Sequence, residues 1–348
     1  MKNKFCFLLA LILVFCLFLG CEKSYEKFSD YSFDYFDTVT TITGFEKDKA
    51  DFDKNVSEIK TLLLEYHRLY DIYRSYDGIN NLYTVNKVEN GTHTQVKVDE
   101  RIIDLLLFAE QMYTKTNGKL NIGMGSVLII WHNYRENGIS EPESAQLPGM
   151  EILKSAQTHT DFNNIIIDKT ENTVFIKDPE MTVDVGGVAK GYAVEKTAEF
   201  MKNKGMSGYV LNVGGNVRTV GTRPDGENWK VGIENPNTED TENPYIEKLS
   251  LGEMSLVTSG SYQRFYIVNG KNYHHIIDGE TLMPAEYFMS VSVLCKDSAV
   301  ADALSTALFC MAYEDGLKLL DNFQNTEVMW VKKDGTKFYT QNFQKYCE

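Results

Sequence analysis

Three short segments carry residue types whose chemistry combines. The first is DVGGVAKG, residues 184–191: a carboxylate, a glycine pair, a lysine and a third glycine ahead of a helical pattern. Gly186 and Gly187 let backbone approach a ligand with no Cβ in the way. A helix beginning near Lys190 would turn its free N–H groups toward an anion, and Lys190 adds a mobile cation. The segment is not a Walker loop, which needs G-x-x-x-x-G-K-[ST], nor a dinucleotide fingerprint, which needs G-x-G-x-x-G. The plainer reading is a tight turn in which a strand ends at Asp184 and a helix with a surface lysine follows. The second segment is DALSTAL, 302–308. On a helix Asp302 and Thr306 stand at i and i+4 on one face, offering two hard oxygen ligands suited to Mg²⁺. Alternatively Asp302 faces water and Thr306 bonds back to its own helix. The third is NYHHIIDGETLMPA, 272–285, a strand running into a turn. Alternation sends His274 and His275 to opposite faces, so at most one points at a site. There an imidazole of pKa about 6.5 serves as base or phosphate ligand; elsewhere it is a hydrogen-bonded structural residue.

The elements that must position these residues follow from periodicity. FDTVTTITGF alternates like a strand. DFDKNVSEIKTLLLEYHRLYDIY places Val56, Ile59, Leu63 and Tyr66 on one helical face. RIIDLLLFAEQMYTKTNG and KGYAVEKTAEFMKNKG are helices closed by Gly118 and Gly205. SAVADALSTALFCMAYEDGLKLLDNF reads as one long helix, and EVMWVKKDGTKFYT as a closing hairpin. NIIIDKT, NTVFIKD, YVLNVGGNVRTVG, NWKVGIEN, LSLGEMSLVTS and MSVSVLC read as strands. This order predicts an α+β fold with largely antiparallel sheets, several helices and a ligand cleft between subdomains. Weaker signals are IYRSYDG (72–78), LNVGGN (211–216), TSGSYQRF (258–265) and NIGMGSVLIIW (121–131), the last read as a glycine-bearing loop into an apolar stretch.

The N-terminus is a different object. Lys2 and Lys4 precede an apolar run over residues 5–20, and Cys21 follows Gly20. That is a secretory signal whose ending FLGC resembles a bacterial lipobox, with Cys21 lipidated as the mature N-terminus. An uncleaved anchor is the alternative, and both place the folded part outside the cytoplasmic membrane. The expected organisation is a signal peptide over 1–20, a tether over 21–32 and a single catalytic domain over 33–348. Of 348 residues, 43% are hydrophobic and 24% charged, enough for a sizeable core. Net charge is −14 with no basic stripe, which argues against nucleic-acid binding. After Cys21, only Cys295, Cys310 and Cys347 remain; three cannot form a disulfide framework, and their spacing is not that of a zinc site. Cys310 reads as a small core residue.

Taken in order, DVGGVAKGYAVEK, LNVGGNV, TSGSYQRF, HHIID and DALSTALF resemble the ApbE family of FAD:protein FMN transferases, from FDT at 36–38 to the DALSTA helix. The resemblance implies a T-fold-like fold and a lipid-anchored protein at the periplasm or cell surface that takes FAD as substrate and needs Mg²⁺. It implies that FMN is joined through its phosphate to a Thr or Ser of a target flavoprotein, a redox-complex subunit or extracellular reductase, while AMP leaves. Carried over by position, the metal would lie between the Gly187 carbonyl and the side chains of Asp302 and Thr306. FAD would touch Phe36, Tyr73, Asn121, Ile122, Gly123, Asp184, Lys190 and Ile276. His275, Lys190 and Asp302 would be the catalytic residues, His275 helping to activate the target hydroxyl. The chain departs from the family at Phe36-Asp37-Thr38, where M-G-T is usual, at Asn121-Ile122-Gly123, where D-I-T is usual, and at Gly279, where Pro is usual. Two other functions share these residues: an Mg²⁺-dependent FAD pyrophosphatase, and a lipoprotein that only holds flavin.

Overall fold

In TVTTITGFE, Thr40 and Ile42 are buried while Val39 faces solvent, the two-residue period of a strand covered on one side. Strands of this kind form one antiparallel sheet laid in chain order. They are β1 (Glu26–Tyr35), β2 (Thr38–Glu46), β3 (Tyr209–Val213), β4 (Asn216–Val220), β5 (Ser255–Gly260), β6 (Ser290–Cys295), β7 (Glu327–Val331) and β8 (Lys337–Tyr339). The computed structural model describes residues 24–348. The expected signal peptide and the lipidation site Cys21 therefore lie outside the described residues. The expected tether is strand from Glu26 onward: Phe28 packs on Phe52 and the backbone pairs with β2, so a segment polar in composition is held by a neighbouring strand.

Among the helices are α1 (Lys49–Tyr70), α2 (Glu100–Lys115), α3 (Gly125–Ser140), α4 (Ala189–Asn203), α5 (Ser298–Phe309) and α6 (Tyr313–Leu320), of which α1, α4 and α5 pack on this sheet. Asp48 caps α1 by accepting from the Asp51 N–H, and Asp297 caps α5 by accepting from Ala299 and Val300, satisfying N–H groups that a helix start leaves free. Val56, Ile59, Leu63 and Tyr66 are buried on α1, as their spacing predicts. α5 is apolar around most of its circumference and buried accordingly; it packs on β5, β6 and α4. The architecture is the mixed helix and antiparallel sheet expected. Cys295, Cys310 and Cys347 are free, the first two buried. Among the described residues no helix is long and apolar enough to cross a membrane.

Three local expectations are corrected. The long helix is two, α5 and α6, broken where Cys310 N–H turns to Ala307 and Ala312 is extended. Apolar periodicity runs through the break, but α5 is enclosed whereas α6 buries only Gly316 and Leu319, so the chain must turn out of the core. NIGMGSVLIIW is a short 3₁₀ turn, Ile122–Met124, leading directly into α3. Its glycines serve close packing: a Cβ on Gly125 would fall 2.3 Å from the Thr182 carbonyl oxygen. Asp184 ends no strand; its N–H is instead bound by the Ile122 carbonyl at 2.8 Å.

Candidate active site

α4 and α5 touch at Gly191. A Cβ there would lie 2.3 Å from both Asp302 Cβ and the Ser298 carbonyl oxygen, so only glycine permits this approach. The contact has a chemical result. Gly191 N–H donates to Asp302 Oδ2 at 2.8 Å, and Lys190 Nζ stands 3.7 Å from Oδ1. Asp302 is 4% exposed, so it does not simply face water. One turn along α5, Thr306 lies against the loop: a Cβ on Gly187 would be 3.4 Å from Thr306 Oγ1. Behind this pair, Arg218 of β4 donates from Nε and Nη2 to the Glu195 carboxylate of α4 at 2.9 and 3.1 Å. The same carboxylate accepts from the Ser298 N–H at 2.8 Å. One buried ion pair thus ties sheet, α4 and the start of α5 together, its remaining valences met by backbone as burial requires.

Gly187, Lys190, Asp302 and Thr306 line a cleft of about 620 Å³, within the usual range for ligand sites. Tyr73, Asn121, Ile122, Asp184, His275 and Ile276 line it too. Tyr73 stacks on His132 with ring centroids 4.8 Å apart, and Arg135 donates to His132 Nδ1 at 3.0 Å. Burial raises the Tyr73 phenol and lowers the His132 imidazole, the latter helped by Arg135. Burial also raises the Asp184 carboxyl, although the Gly186 N–H it accepts at 2.8 Å acts the other way.

His275 Nδ1 lies 3.2 Å from the Arg264 carbonyl oxygen. A carbonyl only accepts, so Nδ1 carries the proton and Nε2 keeps a lone pair. Burial, then the charges of Arg264 and Arg135, lowers this imidazole to a pKa of about 3; it is neutral at physiological pH. His274 points the other way, buried with Nε2 at 2.9 Å from the Ala285 carbonyl, as strand alternation predicts.

Two expected contacts lie off the cleft wall. Phe36 turns its ring onto His67, centroids 5.6 Å apart, and its neighbours Asp37, Thr38 and Val39 line the cleft instead. Gly123 faces inward: a Cβ would lie 2.6 Å from Met181 Cε. Asn121 spends its amide on the turn, accepting from Gly123 N–H at 2.8 Å and donating to the Thr160 carbonyl at 2.9 Å. His132 and Arg135 were not singled out from the sequence. Their spacing of three puts them on one helix face, a signal hidden because the apolar stretch that the 121–131 loop leads into is given no element type.

The donors around Asp302 suit Mg²⁺. They are a carboxylate and, one turn along α5, a hydroxyl, both hard ligands, and a buried carboxylate with only a long ion pair favours a further cation. Among the described residues no group of three or more His, Cys, Asp and Glu is placed to hold a metal. A Mg²⁺ ion here would therefore take its remaining ligands from water and substrate phosphate, its usual habit.

Residues 36–330 match the ApbE family. The FAD:protein FMN transferase of Vibrio cholerae (O395) is 29% identical over 334 residues, 94% of each chain. That of Klebsiella pneumoniae (strain 342) is 27% identical over 277 residues, 77% of this chain and 82% of its own. Among solved structures, the ApbE protein of Thermotoga maritima superposes with a TM-score of 0.78 at 26% identity, covering 93% of this chain and 99% of that one. The flavin transferase ApbE of Vibrio cholerae gives 0.75 at 25% identity, covering 92% and 99%. The chain belongs to the ApbE family.

Proposed function

We propose that this chain is an FAD:protein FMN transferase. The observation that carries the reading is the convergence of Gly187, Lys190, Asp302 and Thr306 on the wall of one cleft of about 620 Å³ that Tyr73 and Ile276 also line, polar groups to meet a pyrophosphate beside apolar surface for a flavin. In the reaction the Thr or Ser hydroxyl oxygen of a target flavoprotein bonds to the FMN phosphorus. The bond from that phosphorus to the bridging oxygen breaks, AMP leaves with the oxygen, and the hydroxyl proton passes to a base. Lys190 and the N-terminal end of α4 stabilise the charge gathering on the phosphates. His275 Nε2, unprotonated, is the acceptor for the hydroxyl proton. Tyr73 and Ile276 offer apolar surface to the flavin. Mg²⁺ held by Asp302, Thr306 and the Gly187 carbonyl would supply Lewis-acid neutralisation of the pyrophosphate.

The expected leader and Cys21 support a lipid-anchored protein on the extracytoplasmic side, meeting a redox-complex subunit or extracellular reductase there. Acyl chains on the mature N-terminal peptide, read by mass spectrometry, test that placement. The activity is tested by incubating the protein with FAD, Mg²⁺ and a co-expressed candidate flavoprotein. An acceptor heavier by one FMN, with AMP released in equal amount, supports transfer. Free FMN with AMP and no modified acceptor would make the enzyme a pyrophosphatase, and no AMP at all would leave only flavin binding.

A further inference from the structure

The outer face of the β1–β2 hairpin continues the wall of the cleft. Tyr31 stands opposite Thr41 across β1 and β2, and Thr41 opposite Asn212 across β2 and β3. Directly paired residues share a sheet face, so these three side chains form one row, and Thr41 and Asn212 line the cleft. Beyond Ser32 the register slips. Ser32 pairs with Thr40 and Tyr35 with Thr38, leaving Phe33 and Asp34 opposite Val39 as a bulge. Val39 also lines the cleft. Phe33 and Tyr31, at 75% and 66% exposure, are the most exposed large apolar side chains among the described residues, and Val39 is 48% exposed. The opposite face of β1 is covered by α1, through Phe28 on Phe52 and Asp30 with Lys60. The outer face is left as an apolar shelf running from solvent to the cleft.

We propose that this shelf seats the polypeptide that accepts FMN, an extended segment with an apolar residue close to its Thr or Ser. The inference rests on the transferase reading: a protein hydroxyl must reach phosphorus inside the cleft, so the chain on either side of it must cross the rim. Other parts of that rim are polar, with Lys119 paired to Glu280, Arg135 beside Glu136, and Arg264. The shelf offers the most exposed aromatic anchors among the described residues, of the kind that dominate protein recognition, and strand register makes it continuous with the site.

The test uses short extended peptides carrying one threonine, with and without leucines beside it, offered with FAD and Mg²⁺ to the full-length protein and to its Tyr31→Ser/Phe33→Ser variant. Both side chains are exposed, so the variant should keep its fold, checked by its melting temperature. The expected result is that the wild type labels leucine-flanked peptides with a kcat/KM roughly tenfold higher. The variant loses that preference, while AMP release from FAD in the absence of peptide stays unchanged. Equal preference in wild type and variant overturns the shelf but leaves the transferase reading standing. A wild type that releases FMN and AMP and labels no peptide or flavoprotein overturns both. Concentration-dependent dimerisation, or binding to phospholipid vesicles, that the variant abolishes with peptide labelling intact would assign the shelf to a second copy or to the membrane and overturn the proposal.

Discussion

On the helix side of the cleft Asp302 is 4% exposed, Arg218 is 2% exposed and paired to Glu195, and Gly191 leaves no space for a methyl group. On the hairpin side Phe33 is 75% exposed, and the turn residues Phe36 and Asp37 have φ of 53° and 49°. Asp37 there meets Arg74 only at 3.8 Å, with both side chains mostly exposed. The first side is over-determined, as electrostatic preorganisation requires, because a phosphate site gains from dipoles that need not move during reaction. The second commits its inner face, with Phe28, Tyr35 and Ile42, to the core and leaves only its outer face free to meet a partner. Glycine marks the difference: it is required at Gly191 for helix contact, and absent at Asp37, where a left-handed turn would welcome it.

Five substitutions or conditions probe that contrast, beginning with the largest effect. Asp302→Ala should reduce AMP release on the order of 10³-fold and, by leaving the buried Gly191 N–H without its acceptor, cost about 1–3 kcal/mol in unfolding; activity near wild type would remove Asp302 from the proposed metal-binding role. Glu195→Gln should cost about 3 kcal/mol in denaturant unfolding, because it leaves the buried Arg218 with only the half-exposed Glu253, 3.7 Å away, as a charged partner, whereas a double exchange of Glu195 and Arg218 to Met should recover much of the loss. Gly191→Ala should cost about 1–3 kcal/mol by overpacking and reduce AMP release as well, since the displaced neighbour is Asp302 itself.

The pH dependence has a definite sign. His275 has a pKa of about 3 when folded and about 6.5 when unfolded, so acidification protonates the unfolded chain first. Its contribution to stability is complete above pH 6.5 and falls as pH drops toward 3. Allowing for its partial exposure, the loss between pH 6.5 and 5 is roughly 1 kcal/mol, and His275→Asn should flatten that part of the stability curve. A wild-type curve already flat there would show a histidine in full contact with water. Smallest is Asp37→Gly, which relieves a positive φ and removes an exposed ion pair; unfolding should shift by no more than about 0.5 kcal/mol. A loss as large as that of Gly191→Ala would erase the distinction between the two sides.

Much of the site was legible because its parts are local. Asp302 and Thr306 are four residues apart on a helix, and His274 and His275 are adjacent on a strand end, so fixed backbone periods set their relative directions. The element types of α1, α2 and α4 followed from apolar spacing, and β2 from alternation. What failed were places where packing rather than pattern decides. The break between α5 and α6 lies inside a continuous apolar period. The helix at 125–140 opens with glycines that resemble loop residues but serve close contact with Thr182. Phe36, carried over as a flavin contact by resemblance alone, sits in a left-handed turn with its ring on His67, a direction that no local pattern states.

The sequence by itself determined which residues could bind phosphate and metal, and which helix and strand faces present them, because those relations extend over a few residues and obey the backbone's own geometry. Only the tertiary structure decided that Gly187 meets Thr306, and that Gly191 and Lys190 meet Asp302, across more than a hundred residues of chain. Those contacts depend on how closely two helices can pack against one sheet, a question of shape and buried charge that no local spacing contains.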